Sequence, residues 1–223
     1  PAGAYSIHSH AGCLALELSS ANQRIVVNCG SAGFAHPGWE LALRATAAHS
    51  TLSVADASMA SIIPAGIGRD LLGSRLLGGP SEINTRRVET AQGWCVEAGH
   101  DAYVVPFGIR HERLITISQQ GLAVTGLDRA VPQAGRERAT TTFAIRFHIH
   151  PDVRVSPSQG GGILLKLPNG DGWRFRSGAQ LSVEESVYLG GETVRRTEQL
   201  VLSGTVKDQP VETAWIFEQI GTS

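Results

Sequence analysis

Nothing in this sequence of 223 residues approaches the roughly 18 consecutive apolar residues of a membrane-spanning helix, and no leader-like segment opens it, so neither is expected within it. A dominant charge is also missing. Nineteen Lys and Arg face 20 Asp and Glu, for a formal net charge of -1. That balance excludes the broad basic field that draws in nucleic acid or anionic lipid. Lysine is scarce beside arginine, which still leaves room for a local arginine-lined groove. Cysteine is sparse and odd in number, at Cys13, Cys29 and Cys95, which excludes a full disulfide framework. Buried free thiols are the expectation, with a Cys13–Cys29 bridge open if their strands are neighbours. Methionine occurs once, at Met59, and the chain opens on Pro1. The expectation is a C-terminal piece of a larger protein.

Long helical periodicity is lacking as well. Residues 39–48 carry one or two helical turns at most. Residues 67–77 are interrupted by glycine and read as an excursion over the surface. Short alternating segments fill the rest. Residues 14–18 and 24–28, on either side of a polar turn, read as a hairpin. Further strands are expected at 50–54, 85–89, 94–97, 113–118 and 122–127, the last pair joined across Gln119-Gln120-Gly121. In 141–150, Phe143, Ile145, Phe147 and Ile149 fall on one face; Arg146, His148 and His150 fall on the other, expected to be a polar outer face. Residues 162–167 and 173–176 flank Pro168-Asn169-Gly170-Asp171-Gly172, a hairpin turn. Strands at 181–188, 197–206 and 212–220 complete the set. About a dozen strands at this spacing predict an all-β protein, a large antiparallel β-sandwich of two sheets with few short helices, formed by residues 1–223 as one domain. The polar stretch 130–140 is expected to be a long connection within it. Trp39, Trp94, Trp173 and Trp215 are expected mainly as core anchors.

The chemistry gathers at strand ends. His8-Ser9-His10 puts two imidazoles on one side of an extended segment, a pair able to share a metal or divide acid–base work. Asn28 closes the second strand, and His49 comes just before the next. Three polar groups can therefore converge at one rim.

This constellation resembles the C-terminal β-domain of the heparinase II/III-like polysaccharide lyases. The resemblance lies in His8-Ser9-His10-Ala11-Gly12, then Leu14-Ala15-Leu16-Glu17-Leu18, Val27-Asn28-Cys29-Gly30 and Arg44-Ala45-Thr46-Ala47-Ala48-His49-Ser50-Thr51. It extends to Phe147-His148-Ile149-His150-Pro151 and Gly172-Trp173-Arg174-Phe175-Arg176. By that resemblance His8 falls at a catalytic histidine. His10, Asn28 and His49 fall at metal-binding positions, and one zinc ion is implied. The sequence departs from the family pattern where Gly12 and Asn28 each replace an aspartate. A neutral amide is a poorer zinc ligand than a carboxylate. The alternative is that His10, Asn28 and His49 hydrogen-bond one another.

The resemblance further implies β-elimination on an acidic, uronate-containing polysaccharide and an N-terminal α/α-toroid carrying the other catalytic groups; the compartment stays open, with a periplasmic setting favoured. The chain alone would then be inactive. Two other readings are kept. One is a non-catalytic carbohydrate-binding or structural sandwich, with Arg146, His148, His150, Trp173 and Arg174 as a sugar-facing surface. The other is a cupin-like metal protein, resting on Pro106-Phe107-Gly108-Ile109-Arg110-His111. No nucleophile elbow is present, and Gly160-Gly161-Gly162 precedes a strand and makes no phosphate loop.

Overall fold

The structure is a computed structural model that describes residues 6–31, 37–91, 93–135, 139–191 and 193–221. Strands β1 (Leu18–Ser20) and β2 (Gln23–Val27) form a hairpin, and 3-10 turns at Pro37–Trp39 and Thr46–Ala48 flank helix α1 (Glu40–Arg44). Strands β3 (Leu52–Val54) and β4 (Ala60–Ile62) follow, then helix α2 (Ile67–Leu72), β5 (Leu76–Gly78), β6 (Ile83–Thr90) and β7 (Gly93–His100). Helix α3 (Val104–Phe107) leads into β8 (Ile109–Ser118), β9 (Ala123–Pro132) and β10 (Thr141–Ile149). The last six are β11 (Arg154–Pro157), β12 (Ile163–Lys166), β13 (Gly172–Ser177), β14 (Gln180–Tyr188), β15 (Arg195–Val206) and β16 (Val211–Ile220).

These strands build two large antiparallel sheets. The six-stranded sheet runs β1-β2-β10-β15-β14, with β3 also paired to β10; the eight-stranded sheet runs β11-β12-β13-β16-β9-β8-β7-β6. Strands β4 and β5 form a separate ribbon. Alternation decides the core, as expected for packed sheets. Phe143, Ile145, Phe147 and Ile149 of β10 are all buried. Phe147 meets Phe175, Trp215 and Phe217 of the opposite sheet at ring-centroid distances of 5.3, 4.9 and 5.4 Å. β9 lies in the eight-stranded sheet and β10 in the six-stranded one; of the connection expected over 130–140, residues 130–132 are paired within β9 and residues 136–138 lie outside the described residues.

Several expectations shift. The first strand begins only at Leu18, because Leu14 takes a left-handed backbone (φ 57°) and the preceding residues are held as loop. Its turn places Ala21 and Asn22 at φ 45° and 64°, the doubly left-handed form that suits a two-residue hairpin. The 67–77 excursion contains α2 and the start of β5, which pairs with β4. His148 does lie on the face of β10 opposite the core, but it is buried, not solvent-facing. The 37–49 segment roofs that part of the sheet: His148 Nε2 donates to Ala47 O at 3.0 Å. Trp173 and Trp215 are core residues, whereas Trp94 is 40% exposed with the Arg87 guanidinium 4.3 Å from its ring centroid. All three cysteines are free, and only Cys29 is fully buried.

Candidate functional site

The strand-end residues do gather at one rim, and the hydrogen bonds there sort them. His49 Nδ1 lies 2.8 Å from Ala45 O, so that nitrogen carries the proton and Nε2 is an acceptor. His10 Nδ1 sits 3.1 Å from His49 Nε2 and donates to it. Burial lowers the His49 pKa to about 4, with the neighbouring His10 acting in the same direction. His10 is lowered too, by burial first and then by Arg44. Both rings are therefore neutral at neutral pH.

Asn28 is placed differently from the expectation. Its amide oxygen accepts from the Ser50 N–H at 2.9 Å, and its amide nitrogen donates to Glu17 at 3.0 Å. It thus ties β2 to the residue after His49. His8 stands exposed on a tight turn over residues 6–9.

Zinc held by protein ligands alone wants four donors in a tetrahedron. Here the two imidazole nitrogens hydrogen-bond to each other, both atoms of the Asn28 amide are committed, and residue 12 has no side chain. Among the described residues no group of three or more His, Cys, Asp or Glu side chains is placed to hold a metal ion. The residues present do not fit a closed zinc site, and no step below runs through one.

Gly12 is a packing requirement. A Cβ at this position would lie 2.5 Å from His49 Cδ2 and 2.8 Å from its Cγ. Restoring the family's aspartate by Gly12→Asp is expected to push the His49 ring off the Ala45 carbonyl and cost about 1–3 kcal/mol. Urea denaturation of the chain checks this; an unchanged midpoint contradicts it.

Behind this rim lies a buried network that the sequence reading missed. Asp128 accepts from His111 Nε2 at 2.6 Å, Arg113 Nε at 2.8 Å, Arg113 Nη2 at 3.1 Å and Trp215 Nε1 at 2.8 Å. Arg113 Nη1 reaches out of the eight-stranded sheet to Leu14 O at 2.7 Å and Ser50 O at 2.9 Å. The network therefore fixes the two loops that carry Gly12 and His49. On its other side, the Ala102 N–H donates to His100 Nδ1 at 3.2 Å, and His100 Nε2 lies 3.3 Å from His111 Nδ1. Each ring thus accepts at Nδ1 and donates at Nε2. Burial lowers the His100 pKa to about 3, and lowers His111 despite the opposing pull of Asp128. Burial also opposes ionisation of Asp128, but Arg113 and the donated bonds outweigh it and hold the carboxyl well below the usual range. His111 is the residue that ended the cupin-like match; both its nitrogens are spent inside this network, so it is no ligand. The signal was present in register. Arg113 and Asp128 lie equal steps out from Ser118 and Ala123 on either side of the turn, and they pair across β8 and β9.

The class is a two-sheet antiparallel β-sandwich with a pair of histidines at one rim. The chain belongs to the heparinase II/III-like family as its C-terminal domain, whose family model matches residues 1–216. It is 29% identical over 220 residues to the FtsZ-localized protein C of Caulobacter vibrioides (strain NA1000 / CB15N), covering 94% of this chain and 37% of that protein. In fold it is similar to the heparan sulfate lyase HepC of Pedobacter heparinus (TM-score 0.72, 14% identity, 96% of this chain and 31% of that one). A heparinase III structure matches with TM-score 0.69 at 13% identity, over 99% of this chain and 31% of that one. The chain spans about a third of the length of these relatives.

Proposed function

We propose that this chain is the C-terminal β-sandwich of a polysaccharide lyase that cleaves uronate-containing glycans by β-elimination. The supporting observation is His8: an exposed imidazole on a turn beside the rim, in a chain that belongs to the heparinase II/III-like family. In the reaction a proton leaves the carbon beside the uronate carboxylate, the bond to the 4-oxygen breaks, and that oxygen gains a proton. His8 serves as the acid or base for one of these transfers, since an imidazole nitrogen can accept or donate a proton. Neutralising the carboxylate and moving the second proton fall to a preceding α/α-toroid domain. The His10–His49 pair and the Asn28 amide hold the strand ends in this reading.

The test compares the full-length parent with this chain alone on acidic polysaccharides, following the absorbance of the unsaturated uronate product. Product from the parent and none from the chain is expected. Product from the chain alone contradicts the division of labour; none from either contradicts the lyase reading.

A second reading, a non-catalytic sandwich, is favoured by Gly12 and Asn28 standing where the family pattern has aspartates. It also draws on the higher identity to a protein named for its location with FtsZ than to the lyase structures. It expects no unsaturated product from the parent.

A further inference from the structure

We propose that Arg44 is the positioning residue for His8, an inference that rests on the reading of His8 as the proton-transfer group. Arg44 is 4% exposed, and a guanidinium is retained at such depth only when its donors are met. Its donors go to the two ends of the turn that presents His8. Arg44 Nη2 donates to Ser6 O at 3.0 Å and Nε donates to Ser9 O at 2.8 Å. The turn itself closes with Ser9 N–H on Ser6 O at 3.1 Å. The Arg44 backbone carbonyl then accepts the Ala11 N–H at 2.9 Å. One residue thus grips the segment before His8, between His8 and His10, and after His10.

The guanidinium is held in turn. Nη1 donates to Glu40 at 3.0 Å, and the other Glu40 oxygen accepts from Arg69 at 2.8 Å. From the opposite side the Leu76 N–H donates to Ser6 Oγ at 3.1 Å. Ser6 and Ser9 are fixed, and Ile7 and His8 form the exposed tip between them. A planar guanidinium can bridge two carbonyls three residues apart, whereas an ammonium is a point donor. Arg44→Lys therefore keeps the charge and releases one end of the turn. A displacement of about 1 Å at a reacting group costs up to about a hundredfold in rate.

The experiment uses Arg44→Lys and Glu40→Gln in the full-length parent, with the same changes in this chain for hydrogen exchange. Arg44→Lys is expected to lower kcat about 10- to 100-fold with KM within about twofold. It should add no further loss in a His8→Ala background, because it acts through that residue. The Ser9 amide should exchange at least about tenfold faster while amides of β15 keep their protection. Glu40→Gln, at a half-buried surface position, should move kcat and Ser9 exchange the same way by a smaller factor. It carries the test if Arg44→Lys fails to fold. A kcat within about twofold of the parent, or a full additional loss on top of His8→Ala, overturns the proposal. Should His8→Ala itself be as active as the parent, the reading of His8 as the proton-transfer group falls, and unchanged Ser9 exchange would then separately show that Arg44 does not hold the turn.

Discussion

Asp128→Ala should lower the unfolding free energy by about 3–5 kcal/mol, the usual cost of removing one partner from a buried ion pair. The reason is the number of donors left behind. Arg113 keeps a buried positive charge with no counterion, and His111 and Trp215 lose their only shown acceptors. None of these can turn to water, since Asp128, His111 and Arg113 are all under 4% exposed. Loss of Arg113 geometry also frees the carbonyls of Leu14 and Ser50, so the rim around His10 and His49 should loosen with it. Glu112→Ala is the control. Glu112 pairs with Arg129 at 2.9 Å on the outer face of the same strands, where an exposed pair is worth under about 1 kcal/mol. Urea midpoints of the two variants should differ several-fold in their shift; equal shifts would show that the network carries no special weight.

Acid should unfold the chain well before its carboxylates titrate. His49, His100 and His148 have pKa values lowered to about 4, 3 and 4, in each case chiefly by burial. In the unfolded chain each imidazole takes up its proton near pH 6.5, its ordinary value. Below that pH the unfolded state binds more protons than the folded state, so stability falls as pH falls. The loss runs from about pH 6.5 down to the folded-state values and amounts to about 2 kcal/mol per imidazole at pH 5. Asp128 acts in the same direction lower down, since its stabilising charge is fully present above its ordinary value and is lost as pH drops through its depressed one. A domain holds only about 5–15 kcal/mol in all. The urea midpoint is expected to hold steady above about pH 7 and to collapse between about pH 6 and 4. A midpoint unchanged from about pH 7 to 5 contradicts the picture of three buried neutral rings.

The long strands were legible because alternation and turn chemistry are local. β10, β14, β15 and β16 sit within two residues of where the pattern puts them. The short ones were not. Residues 14–17 have strand composition, yet Leu14 takes a left-handed loop, held by Arg113 donating to the Leu14 carbonyl and by the Leu16 N–H donating to Ser50 O. The nearness of His10 and His49 was legible as a pairing of histidines, although His10 lies in the loop before β1 and not at a strand end. The partners of Asn28 were not, because Asn28 chooses Ser50 and Glu17 through backbone geometry that no spacing records. His148 shows the same limit: parity gave the correct side of the sheet, but a roof from residues 37–49 decides its burial. His100 and His111 looked scattered until hairpin register set them face to face.

The most direct measurement is the turnover of the full-length parent carrying His8→Ala on a uronate-containing polysaccharide, with substrate binding measured alongside. Removing a general acid or base lowers rate by about 10²- to 10⁴-fold. A fall in kcat of at least about a hundredfold with binding within a few-fold of the parent is the expected result. Unchanged turnover would contradict the account, because the exposed imidazole on which it turns would then take no part in the reaction.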